Sequence, residues 1–360
     1  MGAPNFRSAF FISISGEVIF ALPFKTKLCR NISIMKIAVV GCGALGSYYG
    51  AKLSHAGQDV HLLLRSDYEV VRRKGVYVRS DEGDVHATPN CARTPEDIGV
   101  CDLVLIGLKT TANDQFANLV PPLVGDKTAI FTLQNGLGNE EILASLFGKD
   151  KILGGLCFVC LNRVEPGVIQ QVGRGRILMG EFSGKPEPRT HDIAAMFRNA
   201  GVLCEVTENL EQAHWEKLVW NVPFNGLGVA GAAGFEAVSS GDAKGVQPGR
   251  CLSTKDLLSD ERWEKLVREL MDEVIATAQA LGLNVQNSTA EKELIRTRQM
   301  GDYKASTLID FERRQPLELV ALFLESLRQA RQAGAATPRL EKLCAVLLEL
   351  DPVLPKPVVL

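Results

Sequence analysis

A chain of 360 residues has room for two domains of ordinary size. Hydrophobic residues make up 46% and charged residues 23%, the balance of a globular protein with a real core. A formal net charge of -2 argues against a nucleic-acid or anionic-membrane partner, and no apolar run reaches the ~18 residues a membrane span needs.

Residues 1–34 stand apart. They carry Arg7, Lys25, Lys27 and Arg30 against one acid, Glu17, and their apolar stretch 9–22 is broken by Ser13, Ser15, Gly16 and Glu17. They read as an extension outside the fold, with Met35 as the working start; a signal or organelle-targeting segment is the alternative. From Met35 the pattern changes. An apolar run at 36–40 predicts a first strand, 44–56 a helix, 59–64 a second strand and 101–108 another. A helix is predicted over 112–123, ended by Pro121-Pro122, and a strand over 127–133. Strands alternating with helices predict an α/β Rossmann domain with a parallel, doubly wound sheet. Runs at 152–161, 168–172 and 177–180 extend that sheet, followed by a helix at 194–200 and a last strand at 202–206.

After Thr207 strand signals cease. Helical periodicity at 210–225, 260–281, 291–300 and 317–333 predicts an all-α C-terminal domain. The Gly/Ala/Ser-rich stretch 231–252 reads as a loop or insertion. The expected organisation is 35–208 for the nucleotide-binding domain, 209–350 for the helical domain and 351–360 for a loose, proline-rich tail.

Gly41-Cys42-Gly43-Ala44-Leu45-Gly46 is a GxGxxG between the first strand and the first helix. Gly41 allows the tight turn, Gly43 lets backbone approach a pyrophosphate, and Gly46 permits close helix–strand packing. The amides from Gly43 through Ala44 and Leu45 open a helix N-terminus that favours phosphate charge. The second strand ends in Leu64-Arg65 where an NAD enzyme usually places an acid. A guanidinium suits a 2′-phosphate, so NADP(H) is expected over NAD. Lys109-Thr110 and Asn135-Gly136 end two further strands, on the side where ligands bind in such sheets.

Nine cysteines show no disulfide framework and read as thiols in the cytoplasm. Cys157 and Cys160 form a CxxC, but three positions apart on a strand they face opposite ways. Five histidines lack ligand spacing, so no metal site is expected.

In the helical half, Lys217, Asn221 and Asn225 recur every fourth residue, which on a helix sets them along one stripe bordered by apolar neighbours. Buried there, they need polar partners, and a ligand is one source. Pro223 should kink or end that helix. Further on come Ser306, Asp310 and Glu318.

The set, in this order and spacing, resembles the ketopantoate reductase family: Gly41/Gly43/Gly46, Arg65, Lys109-Thr110, Asn135-Gly136, Trp215/Lys217/Asn221/Asn225, Ser306/Asp310 and Glu318. The resemblance covers Met35 to about Leu350. It implies NADPH-dependent reduction of a small 2-oxo acid, 2-dehydropantoate, on the path to pantothenate and coenzyme A. It implies Lys217 as general acid, with Glu318 accepting from a substrate hydroxyl and helping to position the lysine. Asn221, Asn225 and Ser306 would bond the carboxylate and hydroxyl, while Asn135 and Lys109 hold substrate and cofactor. A monomer or homodimer is expected. Two departures stand out: the apolar run 319–324 where the family continues with an Asp and an Asn-Gly pair, and an insertion-like stretch at 234–252. The alternatives are a relative acting on another 2-oxo acid, or a non-catalytic NADPH-binding sensor.

Overall fold

The computed structural model describes residues 33–351; residues 1–32, read above as an extension, and 352–360, read as a tail, lie outside the described residues. The first position of that expected tail, Asp351, is buried. Ten strands form one sheet: β1 (Lys36–Val40), β2 (Asp59–Leu63), β3 (Val76–Ser80), β4 (Val85–Ala87), β5 (Asn90–Ala92), β6 (Leu103–Ile106), β7 (Ala129–Thr132), β8 (Ile152–Glu165), β9 (Val168–Glu181) and β10 (Leu203–Val206). Their order is β4-β3-β9-β8-β7-β6-β1-β2-β5, with β10 beside β9.

The central strands are short runs of Val, Ile, Leu and Phe, buried on both faces as parallel strands between helices must be. β1, β2, β6 and β7 run parallel, with Val40 opposite both Leu63 and Ile106, and Ile106 opposite Thr132. Their carboxyl ends therefore finish level, on one edge of the sheet. β8 pairs with Thr132 through Gly154 and then runs on past that edge.

The sheet departs from the predicted one in three ways. β8 and β9 are antiparallel, and the two strands expected at 168–172 and 177–180 are one continuous strand. β3 and β4 form a second antiparallel pair. The helix expected over 112–123 is instead a 3-10 turn (Thr110–Gln115), one helical turn and a second 3-10 turn at Pro121–Leu123. The two prolines and the irregular backbone at Ala112 deny it a regular ladder.

The helices of this half are α1 (Ala44–His55), α2 (Tyr68–Lys74), α3 (Phe116–Leu119), α4 (Asn139–Phe147) and α5 (Pro188–Asn199). The helical half holds α6 (Leu210–Ala230), α7 (Phe235–Ser240), α8 (Thr254–Ser259), α9 (Glu261–Ala280), α10 (Ser288–Gln299), α11 (Ser306–Glu312), α12 (Glu325–Gln332) and α13 (Pro338–Leu350). α9 buries Leu266, Val267, Leu270, Met271, Val274 and Ile275 at three- and four-residue spacing, a single apolar stripe laid on α6. α6 is walled in on nearly every side, and it continues past Pro223 to Ala230 instead of ending there. The proline removes one N–H, but the surrounding packing keeps the helix going. The stretch 231–252 is not simply a loop, since it contains α7 and buries Val238, Ala243 and Cys251.

Candidate active site

The level sheet edge brings the predicted cofactor residues together. Gly41 has φ of 97°, and a Cβ there would strike the backbone of Gly107 and Leu108 at the end of β6. A Cβ at Gly46 would strike the Gly41 carbonyl, so α1 packs tightly onto the turn. Gly43 faces open space, and α1 begins at Ala44 and Leu45 with no side chain capping its first amides. An unsatisfied helix N-terminus beside an open glycine fits a pyrophosphate. Arg65 lies two residues beyond β2, exposed and with no ion pair among the described residues. Its neighbour Asp67 is buried and held by Arg163 of β8, at 3.1 Å. The turn that carries Arg65 is thus fixed while its guanidinium stays available.

Lys217 projects from α6 to the same edge, half-buried. Its Nζ donates to Asn135 Oδ1 at 2.7 Å and to the Cys157 carbonyl at 2.9 Å, and stands 5.3 Å from the centre of the Phe158 ring. Asn135 follows β7, and Cys157 lies on the overrun of β8. Burial pulls the lysine down to about 8, with the Cys157 thiol and Glu318 pulling weakly the other way.

The stripe predicted on α6 holds, with its members differently engaged. Asn221 is 7% exposed, and its amide makes no hydrogen bond among the described residues. Asn225 Oδ1 accepts from the Thr307 amide at 3.1 Å and from Ser306 Oγ at 3.3 Å. It therefore fixes the start of α11 and orients Ser306, whose residue is exposed.

Glu318 is a buried carboxylate. It makes no direct contact with Lys217. Its Oε1 accepts from the Thr110 amide at 2.7 Å, and its Oε2 lies 3.3 Å from Lys109 Nζ. Lys109 also bonds Asp310 Oδ2 at 2.6 Å. Burial works against the Lys109 charge, but Glu318 and Asp310 outweigh it and push its pKa up. Lys109, expected to face cofactor and substrate, here ties the sheet to α11 and the segment before α12.

A second tie lies beside it. Gly136 has φ of 85°, and the Leu137 amide donates to the Ala321 carbonyl at 2.9 Å. Val320–Leu324 is a π-helical segment. Its Ala321 carbonyl is the group that accepts from the Asn135-Gly136-Leu137 turn. Beneath that turn, Gln134 Nε2 donates to Asn113 at 2.8 Å and Asn113 Nδ2 to Asn139 at 2.9 Å.

Thr110, expected with Lys109 on the ligand side, and Asp310, read as part of the Ser306/Asp310 pattern, supply an amide and a carboxylate here; the Cys157 carbonyl was not singled out from sequence. Asp310 had a signal, one turn after Ser306. A backbone amide or carbonyl has none.

The comparisons with known proteins agree with this architecture. The family model "Ketopantoate reductase PanE/ApbA" matches residues 37–184, and its C-terminal counterpart matches 250–351. A curated 2-dehydropantoate 2-reductase of Nostoc sp. is 38% identical over 88% of this chain and 95% of its own length. The chain belongs to the ketopantoate reductase family. Among solved structures, 2-dehydropantoate 2-reductase from Geobacter metallireducens is 46% identical, covering 87% of this chain and 99% of that one, with a TM-score of 0.79. The Methylococcus capsulatus enzyme of the same name is 34% identical over 89% and 98%, with a TM-score of 0.77. α6, with Lys217, lies between the two regions matched by the family models. No described helix is long and apolar enough to cross a membrane.

Proposed function

We propose that this ketopantoate reductase family member reduces 2-dehydropantoate to pantoate with NADPH, on the path to pantothenate and coenzyme A. The observation that carries the reading is the Lys217 ammonium, buried at the sheet edge between Asn135 and the Cys157 carbonyl. NADPH, when bound, supplies the hydride. Reduction builds negative charge on the C2 oxygen, which then needs a proton. With its pKa near 8, Lys217 is largely protonated at neutral pH and gives its proton up more readily than an ordinary lysine. It serves as general acid and stabilises the developing alkoxide.

Asn221, whose amide is unengaged, and Ser306, oriented by Asn225, are the groups proposed to bond the substrate carboxylate and hydroxyl. Glu318 is the buried carboxylate proposed to accept from the hydroxyl. The amides of Gly43, Ala44 and Leu45 are suited to the pyrophosphate, and Arg65 to the 2′-phosphate. The described cysteines are all free thiols, which supports a cytoplasmic site of action.

A second reading, reduction of another branched 2-oxo acid, draws on the run after Glu318. Leu319, Ala321, Leu322 and Phe323 are buried apolar residues that offer no polar side chain near the carboxylate. The test is the initial rate of NADPH oxidation with 2-dehydropantoate and with 2-oxoisovalerate, which lacks the hydroxymethyl group. A strong preference for the first is expected. Equal or reversed rates select the second reading, and no oxidation with either overturns both. Lys217→Ala should lower kcat by about two orders of magnitude or more, the size of general-acid help.

A further inference from the structure

Behind Lys217, away from the open edge, lies a buried polar contact that the proposed chemistry does not use. His214 Nε2 donates to Glu140 Oε1 at 3.1 Å, with both residues under a tenth exposed. The two are 74 positions apart in sequence and sit in different halves of the chain. A polar contact this deeply buried is costly unless geometry is good, and hydrophobic residues of similar volume would often serve stability as well. Its placement gives it another use.

Three elements supply the surroundings of the Lys217 ammonium: α6 carries it, the turn leading into α4 brings Asn135, and β8 brings the Cys157 carbonyl. The buried contact touches the same three. His214 precedes Lys217 by three residues on α6, so it lies on a neighbouring face one turn away. Glu140 is in the first turn of α4, five residues after Asn135. Its carboxylate lies against Gly154 of β8, three residues before Cys157, so closely that a Cβ on Gly154 would collide with Oε1. Glycine at 154 leaves the space that lets Glu140 reach His214.

We propose that His214 and Glu140 form a positioning pair for Lys217, locking α6, α4 and β8 at the spacing that keeps the lysine between Asn135 and Cys157. This rests on Lys217 being the general acid, as proposed above. A lysine held less closely would admit water and hold its proton more like an ordinary lysine. The ionisable groups around the lysine are the Cys157 thiol and Glu318. Glu141, pushed up chiefly by its own burial, stands beside the pair.

The test combines kinetics with a titration that needs no substrate. Glu140→Ala, Glu140→Gln and Gly154→Ala are compared with the unaltered protein. The Lys217 side chain is followed by carbon NMR in protein labelled at lysine Cε, its signal identified by its loss in Lys217→Ala. Glu140→Ala and Gly154→Ala should move the Lys217 titration up from about 8 by about one pH unit or more. They should lower kcat at least about tenfold while KM for NADPH holds, because a displaced proton donor costs turnover and not cofactor binding. Glu140→Gln, which still accepts from His214, should stay near the unaltered protein in both measurements. If Glu140→Ala fails to fold, Gly154→Ala and Glu140→Gln carry the comparison. An unmoved titration in the disrupted variants, or a glutamine variant as impaired as the alanine one, overturns the proposal. A shifted titration in a protein that turns over no 2-oxo acid leaves the pair standing and removes the reductase reading.

Discussion

An ordinary lysine releases its proton near pH 10.5, and burial brings Lys217 down to about 8. The direction follows from which form water favours: removal from solvent penalises the ammonium, and the nearby Cys157 and Glu318 only partly restore it. The proposed role needs the protonated form at the moment the alkoxide develops. With NADPH and substrate saturating, kcat should therefore be level at neutral pH and decline as pH rises through about 8. A pH profile of kcat checks this, and a limb near the ordinary lysine value would mean that another group delivers the proton. At this scale the sequence was informative where spacing carries meaning. The four-residue repeat of Lys217, Asn221 and Asn225 placed them on one stripe, and α6 keeps them there. It was silent about the partners. Lys217 bonds a backbone carbonyl, which any residue would have. Glu318 was expected to accept from a substrate hydroxyl and help position Lys217, and its own partners are Thr110 and Lys109, more than 200 positions away. Nothing in local sequence encodes that choice.

Elements decide how the two halves meet. Gly136 is the point where the turn after β7 presses on the π-helical segment before α12, and its φ of 85° belongs to the region that favours glycine. A Cβ there would also collide with the Ala321 carbonyl oxygen. Gly136→Ala should therefore push the turn away from Val320–Leu324 and drag Asn135 from Lys217. The expected result is a loss of roughly 1–3 kcal/mol in unfolding free energy, the size of a strained backbone position, with a fall in kcat. Chemical denaturation and steady-state kinetics on one preparation check both. A stable variant of full activity would show that the contact is not needed. The prolines illustrate what sequence conceals at this scale. Pro121 and Pro122 broke up the helix predicted there, whereas Pro223 did not break α6, because α6 is encased by packing and the other segment is not. β3, β4 and β5 escaped prediction, since three to five residues at the margin of a sheet carry too little periodicity to stand out.

Across the whole molecule, the parallel sheet acts as a ruler. Arg65 stands at the end of β2, and the Cys157 carbonyl that holds Lys217 stands on β8. From β2 the order runs through β1, β6 and β7 to β8. Four inter-strand steps of about 4.8 Å put the two ends of the edge roughly 19 Å apart. This layout was largely visible from sequence, since alternating strands and helices with a glycine-rich first turn allow few arrangements. The antiparallel β8–β9 hairpin, whose overrun supplies Cys157 and Phe158, was not, because its apolar run reads the same in either direction. The separation also predicts how Arg65 should act. A contact that far from the reacting carbon is the same in the ground state and the transition state, so removing it weakens binding without slowing chemistry. Arg65→Ala should raise KM for NADPH roughly ten- to hundredfold, the worth of one or two charge-assisted hydrogen bonds, and leave kcat near its original value. KM for NADH, which has no 2′-phosphate, should hardly move. Parallel steady-state kinetics with both cofactors decide it. Equal losses with NADPH and NADH would mean that Arg65 supports the turn after β2 instead of reading the phosphate. A fall in kcat would mean that the two ends of the edge are mechanically coupled.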